Sequence, residues 1–391
     1  MNAASLTRTL PVAAPLLGLV ALAATWGSKP KGLVVALVAL VLAAAVLSAV
    51  HHAEVIAHRV GEPFGSLVLA VAVTIIEVGL IITLMTSGSG DAATLARDTV
   101  FAAVMITVNG ILGLSLLVRT RGGAVARFNA EGSGTALATL ATLATLTLVL
   151  PTFTTSTPGP VFSGTQLAFA AISSLALYAS FVLVQTVRHR DYFLPVGPSQ
   201  PVAPAEVANQ STGRVDPHAP VSPAAAADED EDDHHADPPT QGAALRSLAL
   251  LVTALVAVVG LAKVESTPIE NAVTNAGLPQ SAVGVIIALL VLAPETLAAV
   301  RAASRGRTQT SLNLALGSAI ASIGLTIPAI ALATNWIDGP LELGLGSTQM
   351  VLLVISMLVA TLTIVPGRAT LQQAMVHLVL FASFLVLAVN P

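Results

Sequence analysis

Two glutamates lie inside long apolar stretches of this sequence, and they are the residues best placed for chemistry. Glu77 lies near the middle of the stretch 61–85, and Glu295 follows Pro294 inside the stretch 281–300. An ionisable side chain at membrane depth costs roughly a few kcal/mol, so it persists mainly where it faces a bundle interior, a cavity or an ion. No other acid lies so deep in an apolar stretch. The pair predicts one site for a divalent cation, whereas either glutamate alone could be neutral and hydrogen-bonded between helices.

Small polar residues in the helix after each glutamate can complete such a site. They stand beside glycines and would bring side-chain oxygens to membrane depth. Calcium takes about six to eight oxygen ligands from carboxylates, carbonyls, hydroxyls and water. The predicted metal ligands are Glu77, Glu295, Asn109, Ser322 and Thr326. Close helix packing through the small residues is the competing interpretation.

The same two carboxylates predict the exchange of a cation for protons. Without the metal, two buried anions repel each other, and protons bind in its place. A site that holds either cation or protons couples their movement in opposite directions. A cation channel also tolerates acids within the membrane and stays the alternative, although no filter loop is evident. We expect no enzyme activity, catalytic residue or cofactor, because the only embedded histidine, His377, has no partner motif and no phosphate-binding loop is present.

Composition places the chain among polytopic membrane proteins. Its 391 residues are 54% hydrophobic and 10% charged, and the mean hydropathy is +0.84, far outside the range of soluble domains. The absence of cysteine excludes disulfides and thiolate metal sites. The expected partners are small inorganic cations, protons and the lipid bilayer, without nucleic acid, and the oligomeric state is not predicted.

Eleven apolar runs of membrane-spanning length follow one another along the chain. Their approximate bounds are 9–26, 32–50, 64–86, 99–118, 134–153, 165–187, 246–263, 282–300, 311–334, 347–365 and 371–389. A polar stretch separates the sixth from the seventh and contains the acidic run Asp228–Asp233, followed by two histidines. It reads as a solvated linker, and whether it regulates transport is left open.

The order of the spans predicts two inverted repeats. Five spans lie on each side of the linker once the first is set aside, and an odd number per half gives the halves opposite orientations. The predicted units are an N-terminal transmembrane helix 1–31, a five-helix repeat 32–190, an acidic cytoplasmic linker 191–243 and a second repeat 244–391. Each glutamate lies in the second helix of its half, so both approach the middle of the membrane from opposite sides.

Charge in the loops predicts the orientation. With the N-terminus in the cytoplasm, most arginines fall on the inner side, whereas Lys29, Lys31, Arg97 and Lys263 fall outside. The linker is then cytoplasmic and the C-terminus external. The alanine-, leucine- and valine-rich spans favour a multi-pass protein of the bacterial plasma (inner) membrane.

The sequence around the glutamates also resembles a known family. The segments GEPFGSLVLAVAVTIIEV, LAPETLAAVRAA and NLALGSAIASIGLTIPAIA are similar to the ChaA-type bacterial branch of the calcium:cation antiporter superfamily, described as calcium/proton and sodium(potassium)/proton antiporters. The resemblance covers nearly the whole chain. It implies export of Ca²⁺, or of Na⁺ or K⁺, in exchange for protons, and it matches the two membrane glutamates of the family to Glu77 and Glu295.

One departure from the wider family bears on the ion. Broader calcium/proton exchangers carry a Gly-Asn-Ala-x-Glu pattern, whereas Thr74-Ile75-Ile76 and Leu292-Ala293-Pro294 precede the two acids here. The resemblance therefore implies the fold and the type of coupling. A Na⁺/H⁺-selective antiporter without calcium transport stays an alternative.

Overall fold

The computed structural model describes residues 3–28, 30–61, 64–86, 92–194, 239–337 and 339–390. The acidic run Asp228–Asp233 and most of the predicted linker 191–243 lie outside these residues. In chain order the helices are α1 (Ala3–Thr25), α2 (Leu33–Val60), α3 (Phe64–Met85), α4 (Ala92–Met105), α5 (Leu112–Thr120), α6 (Ala130–Ala144), α7 (Leu150–Phe153), α8 (Gly164–Leu183), α9 (Gln241–Asn275), α10 (Ser281–Ser304), α11 (Thr308–Ala333), α12 (Ser347–Ile364) and α13 (Leu371–Val389).

Short irregular segments join some of these helices into longer spans. The π-helical segments Ile106–Ile111 and Thr145–Val149 continue α4 into α5 and α6 into α7, and Val184–Arg188 extends α8. Arg121–Gly123 and Arg190–Phe193 form 3₁₀ turns. Two strands, β1 (Ala126–Arg127) and β2 (Arg368–Ala369), pair antiparallel and tie the end of α5 to the loop between α12 and α13.

The predicted fold class is confirmed. Within the described ranges, ten helical segments are long and apolar enough to cross a membrane, and Thr9–Thr25 adds a shorter apolar helix. Helices satisfy their own backbone hydrogen bonds, which hydrocarbon requires of a spanning segment. After α1, five spans from α2 to α8 and five from α9 to α13 form the two halves. The predicted residue boundaries of the units, 1–31, 32–190, 191–243 and 244–391, stay predictions.

The first helices of the two halves run antiparallel against each other. His52 of α2 contacts Ser247 of α9, with His52 Nδ1 and Ser247 Oγ 3.3 Å apart. Further along, Gly18 of α1 lies against both Ala45 and Ala257. The contacts therefore move backward along α2 as they move forward along α9. Opposite directions are what an inverted repeat requires of its equivalent helices.

Each glutamate-bearing helix packs on the following span of the other half. From the first half, α3 contacts α11, and from the second half, α10 contacts α4 and α5. The α4–α5 span is the most buried of the described spans, with 89% of its most apolar stretch inside the protein. These two contacts between the halves, α3 with α11 and α10 with α4 and α5, bring both glutamates to the centre of the bundle.

Glycines permit the closest of these helix contacts. A Cβ on Gly113 would lie 3.0 Å from Leu378 of α13, and one on Gly324 would lie 2.7 Å from the Cβ of Tyr178 on α8. These glycines near the predicted ligands therefore allow close helix packing, which was the competing interpretation of the small residues.

Several predicted span boundaries were wrong. The fourth span begins at Ala92 rather than near 99, α2 continues to Val60 rather than 50, and α9 covers Gln241–Asn275 rather than 246–263. Polar residues such as Lys263 lowered the hydropathy at these points and suggested loops. The helices continue past the predicted ends because some of the polar side chains there, such as Ser266, are buried against protein rather than exposed to lipid.

Candidate cation site

Glu77 is held by two hydroxyls from the other half of the chain. Its side chain is only 4% exposed. Ser322 donates a hydrogen bond to Oε1 at 2.7 Å, and Thr326 donates one to Oε2 at 3.2 Å. The two donors lie four residues apart on α11, so they occupy one face of that helix. Both carboxylate oxygens of Glu77 are therefore satisfied across the contact between α3 and α11.

Glu295 lies on α10 in a less satisfied environment. Its side chain is half-buried, and Oε2 is buried without a hydrogen-bond partner among the described residues. Pro294, directly before it, has no backbone N–H, so the carbonyl of Leu290 lacks its usual helical donor. Glu54 of α2 and Glu77 of α3 both lie close enough to act electrostatically on Glu295.

One cavity of about 280 Å³ is lined by both glutamates. Its walls come from α3, α8, α10 and α11 and are mainly apolar, with a few polar side chains. These polar lining residues, besides the glutamates, are Thr74, Gln185, Thr310, Asn313, Ser318 and Ser322. The lining lies in the parts of the helices next to the arginine-rich end of the bundle, near Arg188 and Arg307. The cavity therefore extends from this end of the bundle to the pair of carboxylates.

Asn109 lies in a different polar cluster. Its Nδ2 donates to Ser356 at 2.8 Å, and its Oδ1 accepts from His377 Nδ1 at 3.2 Å. Thr363 donates to His377 Nε2 at 3.1 Å. All four side chains are fully or almost fully buried. The structure thus brings Ser322 and Thr326 to Glu77 but places Asn109 in a network that joins the π segment to α12 and α13.

Two more acids are buried within spans, contrary to the expectation that only Glu77 and Glu295 lie so deep. Asp98 of α4 is 4% exposed and Glu265 of α9 is 1% exposed. Asp98 accepts hydrogen bonds from Arg97 at 2.9 Å and Gln349 at 3.2 Å. Neither oxygen of Glu265 has a hydrogen-bond partner in the part of the chain that the structure describes. The predicted seventh span stopped just short of this residue.

Several further polar residues that line the cavity were not predicted from the sequence. Ser318 lies one turn before Ser322 on α11, and Thr74 lies three residues before Glu77 on α3. Residues three or four apart share a helix face, so this spacing could have identified both. Gln185 and Asn313 lie near helix ends, and no local pattern distinguishes them from surface residues.

The donor set suits a hard cation. It consists of two carboxylates, hydroxyl oxygens and amide oxygens around a space large enough for water, and oxygen is the ligand that Ca²⁺ and Mg²⁺ prefer in proteins. Hydroxyl groups can turn, so Ser322 can donate to Glu77 in the absence of a cation and present a lone pair to a bound one. Across the described residues, no three His, Cys, Asp or Glu side chains cluster around one point.

Known proteins resemble this chain over most of its length. Residues 31–187 and 246–390 match the family described as "Sodium/calcium exchanger protein". The protein y4hA of Sinorhizobium fredii, provisionally named an ionic transporter, is 43% identical over 354 residues, which are 90% of this chain and 87% of y4hA. The sodium-potassium/proton antiporter ChaA of Escherichia coli is 34% identical over 376 residues, which are 95% of this chain and 93% of ChaA.

Solved structures share the fold. Native YfkE matches with a TM-score of 0.68 at 14% identity, covering 98% of this chain and 99% of YfkE. The H⁺/Ca²⁺ exchanger CAX matches with a TM-score of 0.64 at 17% identity, covering 97% of this chain and 88% of CAX. The resemblance inferred from the sequence is thereby confirmed. This polytopic membrane protein belongs to the sodium/calcium exchanger family of cation antiporters.

Proposed function

We propose that the chain is a secondary active antiporter that exports a cation from the cytoplasm in exchange for protons. Glu77 and Glu295 would bind the cation and the protons alternately. One observation carries this proposal: the two glutamates, from opposite halves of the chain, line the same cavity. A shared cavity lets one ion contact both carboxylates, which separate pockets would not.

Electrostatics explains why such a site would rarely be empty. Two anionic carboxylates in a mainly apolar cavity repel each other and lose the hydration that would stabilise their charge. A cation or protons must therefore neutralise the two carboxylates before the site can close to one side of the membrane and open to the other. Ser322 and Thr326 hold Glu77 in a fixed position, so Glu295, with one unpartnered oxygen, is the more adaptable of the two ligands.

The distribution of arginines supports an inward-facing state. The cavity extends toward the end of the bundle that carries Arg59, Arg188 and Arg301, and basic residues favour the cytoplasmic side of bacterial membranes. On this basis the N-terminus is cytoplasmic, the C-terminus is external, and the site opens to the cytoplasm of a bacterium through its inner membrane. A cation would enter from the cytoplasm in the state that the structure describes.

Ca²⁺ is the first candidate ion, since two carboxylates balance its charge. Asn109 is a less favoured ligand than Glu77, Glu295, Ser322 and Thr326, because its side chain is occupied by Ser356 and His377. The name of the Escherichia coli relative, a sodium-potassium/proton antiporter, favours a second candidate, exchange of Na⁺ or K⁺. Two carboxylates would then hold one monovalent cation and one proton.

Proton release from inverted membrane vesicles tests both candidates. Ca²⁺, Na⁺ and K⁺ are added in turn to vesicles that contain the full chain, from neutral to alkaline pH. We expect E77Q and E295Q each to abolish cation-driven proton release, because an amide cannot release a proton or offset metal charge. E131Q, at the exposed first turn of α6, is the matched control and should behave as the unsubstituted protein.

Three results would contradict the proposal. Near-normal exchange by both E77Q and E295Q, in protein that reaches the membrane, would show that the site lies elsewhere. Loss of exchange in only one of the two variants would exclude the paired site and favour a single-carboxylate mechanism for a monovalent cation. Cation movement without proton movement would favour a channel.

A further inference from the structure

Glu265 of α9 is a buried acid outside the proposed cation site. It is 1% exposed, and neither of its oxygens accepts a hydrogen bond from any described residue. It does not line the cavity that contains Glu77 and Glu295. An ionised carboxylate without a partner is very costly to bury, so an acid in this position needs a ligand that removes its charge.

The residue continues a stripe of buried side chains along one face of α9. The members of the stripe are spaced alternately by four and three residues, as in two helices that pack along their length. In order they are Ser247, Leu251, Ala254, Val258, Leu261 and Glu265. Since α9 packs chiefly on α2, this stripe forms the seam between the first helices of the two halves. Ser247 at one end contacts His52, whereas Glu265 at the other end has no hydrogen-bond partner among the described side chains.

The position of Glu265 along the bundle follows from a contact between α3 and α9. A Cβ on Gly79 of α3 would lie 2.7 Å from Val259 of α9. As the next span along the chain, α3 runs opposite to α2, and α9 also packs antiparallel to α2. Therefore α3 and α9 run in the same direction. Glu77 precedes Gly79 by two residues and Glu265 follows Val259 by six, so at a rise of 1.5 Å per residue Glu265 lies about 12 Å beyond Glu77. It lies on the side away from the cavity.

The surroundings of Glu265 select the proton as its ligand. A metal ion would require several further oxygens, but the neighbouring members of the stripe are apolar. The charged and titratable groups on the elements packed against α9 are His51, His52, Glu54, His58 and Arg59 on α2, Glu77 on α3, Glu295 and Arg301 on α10, and Arg246, Lys263 and Glu270 on α9 itself, with none on α1 among the side chains described.

None of these groups pairs with Glu265. The groups on α2 and Arg246 lie toward the opposite end of the seam, near Ser247. Lys263 is exposed, and its offset of two residues turns it to the far side of the helix. A proton is therefore the ligand that can neutralise Glu265 in this conformation.

We propose that Glu265 is a proton-binding residue of the outer pathway. It holds a proton while the outer side of the bundle is closed and while the open outer side contains no cation, and it releases that proton to the outside when a cation enters from that side. This rests on the proposed antiport, because a cation that leaves Glu77 for the outside must pass the level of Glu265. Cation binding from the outside then releases one more proton than binding from the cytoplasm.

The experiment uses proteoliposomes in which the pH is set separately on each side. The half-saturating cation concentration is measured against pH at the outer face and at the cytoplasmic face. At the outer face, we expect E265Q to weaken the pH dependence by up to tenfold per pH unit, the contribution of one competing proton. The cytoplasmic dependence should not change. E270Q, on the same helix and half-buried, is the control and should alter neither face.

Each remaining outcome decides the proposal. An unchanged outer dependence in E265Q, or an equal change at both faces, overturns it. If E265Q exchanges no cation, E265D decides, because it keeps an ionisable group: the proposal requires E265D to restore exchange and the outer dependence, and failure overturns it. Absence of cation-driven exchange in the unsubstituted protein at both faces would instead refute the antiport itself.

An infrared measurement tests the bound proton without transport. In purified E77Q/E295Q protein, the carbonyl stretch of a protonated carboxylic acid should be present, and adding E265Q should remove part of it. E270Q added to the same background should leave that component in place. A spectrum that E265Q does not change would show that Glu265 carries no proton and would overturn the proposal.

Discussion

Removing the Ser322 hydroxyl should shift the competition between cation and proton toward the proton. Ser322 donates its hydrogen to Glu77 at 2.7 Å in a fully buried setting, and a hydrogen bond to a charged group contributes about 1.5–3 kcal/mol. This bond stabilises the ionised form of Glu77, which is also the form that binds a cation. S322A should therefore raise the half-saturating cation concentration by roughly tenfold to a hundredfold wherever protons compete.

The assay is cation-driven proton release as a function of cation concentration, from neutral to alkaline pH. The difference between S322A and the unsubstituted protein should be largest at the lowest pH and should shrink as protons become scarce. S318A is the control, because Ser318 lines the same cavity one turn away without a hydrogen bond to either glutamate. Equal half-saturation in S322A and the unsubstituted protein at every pH would refute the reasoning. Any part of the difference that stays the same at every pH would measure the loss of Ser322 as a direct cation ligand.

Four further predictions concern the site, the packing and the linker. The half-saturating cation concentration should fall with rising pH by up to tenfold per unit for each competing proton; a flat response would mean separate sites for cation and proton. G324A should lower the melting temperature, because overpacking costs about 1–3 kcal/mol, whereas G317A on the same helix, where a Cβ meets open space, should not. H377A should cost about 1–3 kcal/mol of unfolding free energy by leaving Asn109 partly unsatisfied, with little change in half-saturation, and a large change would assign this cluster to the transport site. Deleting Asp228–His235 should leave flux intact, so complete loss of flux in membrane-inserted protein would contradict its role as a tether.

The sequence predicted the spans and one shared contact for a simple reason. In lipid, a long apolar run can satisfy its backbone hydrogen bonds only as a helix. The number of spans can therefore be counted from the sequence. Ser322 and Thr326 are four residues apart, so their common helix face was also predictable, and both contact Glu77. The pairing of the two halves gave the expectation that the glutamates converge, and one cavity now contains both.

Other features depend on tertiary packing that no local pattern records. Asn109 lies on a π-helical segment, where the usual helical periodicity no longer fixes the facing direction, and its partners come from α12 and α13. Glu265 follows Lys263, which looks like the end of a span when hydropathy alone is considered. Its burial becomes visible only once the packing of α9 against α2 and α3 is known.

The contacts between the two halves also have a consequence for the synthesis and membrane insertion of the protein. The hydrogen bond from Ser322 to Glu77 joins residues 245 positions apart. At about 5–20 residues per second of synthesis, roughly ten to fifty seconds separate the translation of Glu77 from that of its partner. During this interval the newly inserted carboxylate has neither hydroxyl available to it, so the nascent first half must keep it protonated or in contact with water until the second half arrives.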